Sequence, residues 1–314
     1  MLVLIIGGGL LAVVLFALTV RQLSFSSEPM VGVVAFTPYL MVAAPVAAIA
    51  FGAVRSWIPL AISVVITALC VATQAHLYIA QSAPKGGVRI VMMTSNLRLG
   101  EADPKAVVSQ VKTHRVDVLT VQELTTREVD ALKAAGLDDA LPYSEAAPGY
   151  NASGVGIWSR YPLTDVVHPT GFAFHMLQAK VQIPGASQPT TVVAAHMAGP
   201  WPNAARWSRD IARLPATLSG FAADNTKGAV LVGGDFNATP DTAQFRNLLT
   251  DGYRDAADQA GAGMTRTYPA DRWTGPLIAI DHVLTHSAVA TSANTLTIKG
   301  SDHRALLTTI VLPR

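Results

Sequence analysis

The sequence predicts an α/β domain built from two mixed β-sheets with helices outside them, preceded by three transmembrane helices. Three observations carry this expectation. Residues 1–80 hold only Arg21, Glu28 and Arg55 as charged side chains; residues 88–135 alternate strand and helix patterns; and from Gly154 onward short strands follow one another with few helices between. A doubly wound parallel fold would need a helix after nearly every strand, so mixed pairing fits the order better.

The chain is 50% hydrophobic, too apolar for an ordinary soluble enzyme, and the excess is concentrated at the N-terminus. Leu2 to Val20, Val31 to Val54 and Trp57 to about Ala80 are apolar runs of 19 residues or more. At about 1.5 Å per residue each is long enough to cross a hydrocarbon core of about 30 Å. The first run has no Lys or Arg ahead of it and no small-residue cleavage site before Arg21, which favours an uncleaved anchor over a signal peptide. Arg55-Ser56 is so short a connection that the second and third runs form a tight hairpin, with Trp57 and Tyr78 placed for the two interfaces. The single cysteine, Cys70, lies in the third run, so no disulfide framework reports on the compartment. The expected organisation is an anchor over 1–80, a Pro/Gly-containing linker over 81–87 and a domain over 88–314.

Removing Arg21, Arg55 and Glu28 from totals of 23 basic and 21 acidic residues leaves 21 against 20 in the domain. A protein that mainly grips nucleic-acid backbone shows a clear positive excess or a basic face, so this balance weighs against that class without removing it.

Along the domain, Val88 to Asn96 reads as a buried strand. Asp103-Pro104 caps and opens a helix to about His114. Asp117 to Val121 is a second strand, followed by a helix capped at Thr125 or Thr126 and stopped by Gly136. Strands follow at Val155 to Ser159, Leu163 to Val167, His175 to Ile183 and Thr190 to His196, then a long helix from Asn203 to Ala223. Another strand starts at Gly228, a helix spans Thr242 to Leu249, a loop runs from Asp251 to Thr274, and the last strands are Leu277 to Leu284 and His303 to Leu312.

The stretch Leu231-Val-Gly-Gly-Asp235-Phe-Asn237-Ala-Thr-Pro240 ends a buried strand in two glycines, a carboxylate and a carboxamide. Strand alternation would point Asp235 and Asn237 the same way, toward a cation or a phosphate ester. Taken alone, the stretch fits a strand followed by an Asx or Pro turn equally well.

Other motifs supply the context. Ser95-Asn96, Gln122-Glu123, Gly154-Val-Gly-Ile-Trp-Ser-Arg160, Ala195-His196, Gly234-Asp235-Phe236-Asn237, Ile280-Asp281-His282 and Ser301-Asp302-His303 stand in the order and approximate spacing of the endonuclease/exonuclease/phosphatase superfamily. On these seven motifs residues 88–314 resemble that group, which has the deoxyribonuclease I-like fold. The resemblance implies a four-layer α/β sandwich and a metal-dependent hydrolase of phosphoric esters or pyrophosphates. It implies a metal site at Asn96, Glu123 and Asp302, holding Mg²⁺ or, in its place, Mn²⁺. It implies catalytic roles for His196, Asp235 and Asn237, and for His303 steadied by Asp281.

Arg206 and Arg209 read as an exposed helix face, with contact to an anionic substrate as the alternative, and His114, His168, His175, His282 and His286 read as structural histidines. The three-helix anchor resembles a bacterial membrane-bound branch that includes the VanJ-type teicoplanin-resistance proteins. That likeness implies a multi-pass protein of the cell membrane with its domain facing outward, whereas counting Lys and Arg leans the other way. The partners expected are membrane lipids and a lipid-linked phosphate such as undecaprenyl pyrophosphate. Nucleic acid, for an anchored nuclease, and a non-catalytic membrane binding protein are the alternatives.

Overall fold

A computed structural model describes residues 1–314. Helix α1 (Leu2–Val20) is apolar throughout, as the sequence requires. The second apolar run differs from the single helix expected. It divides into α2 (Glu28–Ala35), α3 (Thr37–Leu40) and α4 (Ala43–Ala53), and its axis turns by 58° after Ala35. Pro38 explains the break, because a proline lacks an N–H and its ring collides with the carbonyl four residues back. Helix α5 (Trp57–Gln74) continues through a 3₁₀ turn to Tyr78. Two helices are therefore long and apolar enough to cross a membrane, or three if the bent pair counts as one span. Val14, Ala44, Ala47, Phe51 and Ile66 form the anchor's own core. A Cβ on Gly7 would lie 2.4 Å from the Phe51 ring, so only glycine lets α1 and α4 approach this closely.

The domain begins with β1 (Val88–Asn96), α6 (Pro104–Thr113), β2 (Val118–Gln122), α7 (Thr126–Ala134), α8 (Leu137–Ala140), β3 (Tyr143–Ala147) and β4 (Val155–Ser159). Next come β5 (Leu163–Val167), β6 (Leu177–Val181), β7 (Thr190–His196), α9 (Ala204–Asp224), β8 (Val230–Asp235) and α10 (Ala243–Arg246). The chain closes with β9 (Arg254–Asp255), α11 (Ala256–Gln259), β10 (Asp281–His286), β11 (Val289–Thr297) and β12 (Arg304–Leu312). The caps are those the sequence indicates: Asp103 accepts from the Lys105 N–H, Thr125 from Glu128 and Asn203 from Arg206.

Two six-stranded sheets result, ordered β11-β12-β1-β2-β4-β3 and β5-β6-β7-β8-β10-β9. Each is mixed, with one parallel pair, β1 with β2 and β7 with β8, among antiparallel neighbours. The sheets pack face to face through Ile90, Met92, Leu231, Val283 and Leu306. Burying each such side chain contributes about 1.5–3 kcal/mol. Helix α9 covers one outer face with Trp207, Ile211, Leu214, Leu218 and Phe221, and α6 and α7 cover the other. A Cβ at Gly233 would lie 2.5 Å from Thr120 Oγ1 and one at Gly234 would lie 2.0 Å from the Ala195 carbonyl oxygen. The paired glycines let the sheets and the β7–β8 pair close up behind the ends of these strands.

Several boundaries depart from expectation. Strands β3, β9 and β11 and helices α8 and α11 stand where no element was predicted, and β10 starts at Asp281 rather than Leu277. β3, β9 and β11 all lie at sheet edges, where partial exposure replaces a continuous apolar run with a mixed one. Helix α10 spans Ala243–Arg246 instead of reaching Leu249.

Anchor and domain share a polar junction. Asp241, just before α10, accepts from Arg21 Nε at 2.6 Å and from Gln74 Nε2 at 2.9 Å, while Arg246 donates to the Arg21 carbonyl at 2.5 Å. Tyr39 donates to the Leu277 carbonyl at 2.6 Å.

Candidate active site

Strand register assembles the site. In the second sheet His196 pairs with Asp235, and Asp235 pairs with Asp281, so three chemistry-bearing residues lie side by side at one end of β7, β8 and β10. In the first sheet Asn96 pairs with Gln122 at the ends of β1 and β2, immediately before Glu123. His303 directly precedes β12, and its N–H donates to Ser301 Oγ, whose hydroxyl donates to the Asn96 carbonyl. All eight residues expected at the site therefore lie at this one end of the sandwich. A cleft of about 350 Å³ is lined by Glu123, His196, Asp235, Asn237, Asp302 and His303, with Asn96 and Asp281 buried just behind them.

The hydrogen bonds tie the two sheets together. Asn96 Nδ2 donates to Glu123 Oε1 and to Asp235 Oδ2, each at 3.1 Å. Glu123 stands at φ 57° just past β2, and its Oε2 accepts from the Leu99 N–H at 2.7 Å. Such a positive φ costs a non-glycine residue energy, which the hydrogen bonds to Asn96 and Leu99 help to offset. Asn237 lies on the same side as Asp235 for a reason other than strand alternation. β8 ends at Asp235, and Asn237 turns back at φ 50°, with its N–H donating to Asp235 Oδ1 at 2.8 Å and its Nδ2 to the Met197 carbonyl at 2.9 Å.

The two histidines are held in opposite charge states. His196 Nδ1 donates to the Ala152 carbonyl at 2.9 Å, leaving Nε2 facing Asp235 Oδ2 at 3.6 Å. Burial pushes its pKa down to about 4, so the ring is neutral. For His303 burial acts in the same direction, but Asp281, whose Oδ2 lies 2.8 Å from Nδ1, together with Asp235 and Asp302, raises it to about 10. His303 is an imidazolium whose Nε2 lies 3.8 Å from Asp235. Burial and the neighbouring Asp281 charge push Asp235 up to about 8, and burial also raises Glu123.

The donor set suits a hard divalent cation. Glu123, Asp235, Asp281 and Asp302 crowd carboxylates into a partly buried site, and Asp281 Oδ1 is buried with no hydrogen-bond partner. Ligand atoms of Asp235, Asp281 and His303 lie within 4.8 Å of one another. His303 engages Asp281 through Nδ1, which leaves its Nε2 facing the cleft, 3.8 Å from Asp235. Glu123 and Asp302 line the same cleft and add further oxygen donors.

Other residues of the site were not legible beforehand. The Tyr268 ring packs against His303 with centroids 4.9 Å apart, and Phe174 against His196 at 4.8 Å, each pair tilted by 46°. Both come from loops without periodicity. Thr267 Oγ1 accepts from the Ile280 and Asp281 N–H groups, fixing the start of β10. Arg206 corrects the reading of an exposed helix face: it lines the cleft, its guanidinium lies 5.9 Å from the Phe174 ring centre, and its Nε is buried without a partner. Arg209 is exposed as expected, and His282 is a buried structural histidine 2.6 Å from Asp255. Val31 and Ala35 of α2 also line the cleft, so the anchor forms part of its wall.

Solved structures share this architecture. A truncated TDP2 from Caenorhabditis elegans superposes with a TM-score of 0.57 at 17% identity, covering 71% of this chain and 97% of that one. An endonuclease/exonuclease/phosphatase from Bacteroides vulgatus gives 0.56 at 17% identity, covering 72% and 99%. A functionally unknown conserved protein from Enterococcus faecalis V583 gives 0.53 at 17% identity, covering 71% and 99%. None of the curated proteins matches the chain. The model of the Endonuclease/Exonuclease/phosphatase family matches residues 93–303, most of the chain, and family members are metal-dependent hydrolases of phosphoester bonds. This chain belongs to the Endonuclease/Exonuclease/phosphatase family.

Proposed function

We propose that the protein is a membrane-anchored, Mg²⁺-dependent phosphohydrolase of the cell membrane, acting on a lipid-linked phosphate or pyrophosphate of the polyprenyl type. The observation that carries this reading is the wall of the cleft: Val31 and Ala35, from an apolar segment of the anchor, face the same space as Glu123, Asp235 and His303. A substrate embedded in the bilayer reaches such a site by lateral diffusion.

Glu123, Asn96 and Asp302 would hold the cation, which when bound neutralises phosphoryl oxygens. Asp235, with Asn237 fixed beside it, would orient the attacking water and, in its ionised form, accept its proton. The His303 imidazolium, kept charged by Asp281, stabilises the negative phosphoryl oxygens. Neutral His196 directs Nε2 toward the same group. Arg206 contributes the cleft's only Lys or Arg side chain.

Helices α1 and α5 both end against the domain, at Arg21 and Gln74, so the bent α2–α4 segment serves as a return crossing and gives three spans. Residues 1–80 then act as the anchor, 81–87 as the linker and 88–314 as the catalytic domain. Met1 and Arg55 lie on the face opposite the domain. Arg21, which in a bare count argues for a cytoplasmic domain, is committed to Asp241, and this supports an outward-facing domain like that of the VanJ-type branch.

A phosphate-release screen of the full chain against a polyprenyl pyrophosphate, a phospholipid and plasmid DNA tests the proposal, with Glu123→Ala as the control. Lipid-linked turnover abolished in the variant is expected. The competing reading is an anchored nuclease, and it draws on the likeness to a D. rerio TDP2 solved with a single-strand DNA product, at 16% identity and a TM-score of 0.56. Plasmid nicking without lipid turnover would establish that reading instead.

A further inference from the structure

The cleft adjoins two more cavities, which lead toward the membrane segments. A chamber of about 370 Å³ lies between anchor and domain and shares Ala35, Thr239 and Ile278 with the cleft. Beyond it a groove of about 330 Å³ runs between α3–α4 and α5, bounded by Met41, Val42, Pro45, Cys70 and Val71, and it shares Pro38 and Met264 with the chamber. The break between α2 and α3 stands where the chamber meets the groove. Without it a straight second helix would carry α3 elsewhere, and Pro38 and Tyr39 would not wall the chamber.

The cleft and the chamber both carry charged groups, the chamber with Arg246, Arg254 and Arg266 beside Asp241, Asp255 and Asp258 and apolar walls, and only the groove beyond them is almost wholly apolar. We propose that the substrate's hydrocarbon chain leaves the cleft over Ala35 and Thr239, crosses the chamber and lies in the groove between α3–α4 and α5. The occupant is the single aliphatic chain of a phosphate-headed lipid. This rests on the lipid-phosphate reading given above, and it assigns the anchor a binding role in addition to tethering.

Val42 and Val71 line opposite sides of the groove and are 59% and 62% exposed, so a larger side chain at either enters the groove without overpacking a core. Val64, on the same helix as Val71 and outside the groove, is 53% exposed and serves as the control. The full chain in detergent micelles is assayed with two probes, a long-chain polyprenyl pyrophosphate and water-soluble p-nitrophenyl phosphate. In Val42→Trp and Val71→Trp the ratio of kcat/KM for the lipid to that for the soluble ester falls about tenfold, the effect of displacing roughly two buried methylenes. Val64→Trp keeps the wild-type ratio. A ratio unchanged in the groove variants, whether both activities hold or both fall together, overturns the proposal.

Photocrosslinking gives a second readout that needs no variant. A diazirine on the tail of the same pyrophosphate labels peptides holding Met41 to Pro45 and Cys70 to Gln74, and labelling confined elsewhere overturns the assignment. Should the wild-type protein fail to hydrolyse the lipid at all, the functional reading itself is lost. Hydrolysis of the lipid without groove dependence removes only the tail site.

Discussion

Replacing Asp281 by Asn tests whether the buried dyad works as a unit. Asp281 is fully buried, its Oδ2 lies 2.8 Å from His303 Nδ1, and it is the foremost of the acids that keep the imidazole protonated against burial. Asn has nearly the same shape, so packing is retained while the charge is lost. A charge-assisted hydrogen bond contributes about 1.5–3 kcal/mol, and at about 1.4 kcal/mol per decade its loss slows turnover roughly 10- to 150-fold. The assay is kcat for phosphate release in the Asp281→Asn, His303→Ala and double variants, with thermal melts confirming that each is folded. If Asp281 acts through His303, the double variant is no slower than His303→Ala alone. Losses that multiply would refute the dyad and assign Asp281 an independent role.

Other expectations concern the junction, the core and the cleft's cation. Arg21→Met leaves Asp241 buried with Gln74 as its remaining side-chain donor. Breaking a buried pair in this way costs about 3–5 kcal/mol, so the Tm of the full chain drops by roughly 6–20 °C, and an unchanged Tm would show the junction to be energetically silent. Glu128 is 3% exposed with Oε1 unpaired, and burial raises its pKa from 4.5 to about 7. The folded state retains a proton that the unfolded chain sheds, so stability falls as pH rises from about 4.5 to about 7. Glu128→Gln therefore stabilises by about 1–2 kcal/mol at neutral pH, allowing for solvent screening, and has no effect below pH 4.5; equal effects at both pH values would contradict this cause. Arg206→Gln lowers kcat/KM at least about tenfold if the guanidinium meets a substrate phosphate, and leaves it unchanged if Arg206 only packs on Phe174.

How much was legible in the sequence follows from where each residue sits. Asn96, His196 and Asp235 end buried strands and Glu123 directly follows one, and the apolar runs stand out against the polar residues that close them. Their convergence was readable only through the ordered motif set, because strand register between β7, β8 and β10 is a long-range property. Asn237 was assigned to the right place through the wrong geometry, since the left-handed turn after Asp235, and not alternation, brings it round. The edge strands β3 and β11 escaped because their exposure removes the apolar signal. Tyr268 and Phe174 come from aperiodic loops, where a single aromatic side chain gives no hint of the ring it packs against. The role of Val31 and Ala35 was invisible for a different reason: composition marks them as membrane residues, and only the tertiary structure shows them lining the cleft.

The most direct test of the account is a Mg²⁺ titration of phosphate release from a polyprenyl pyrophosphate, with wild type and Glu123→Ala started from chelator-treated protein. The account predicts no release without metal, saturable restoration in the wild type, and little or no restoration in the variant. Full activity in chelator, or an unaltered titration in Glu123→Ala, would contradict a metal-bearing cleft built on these strand ends.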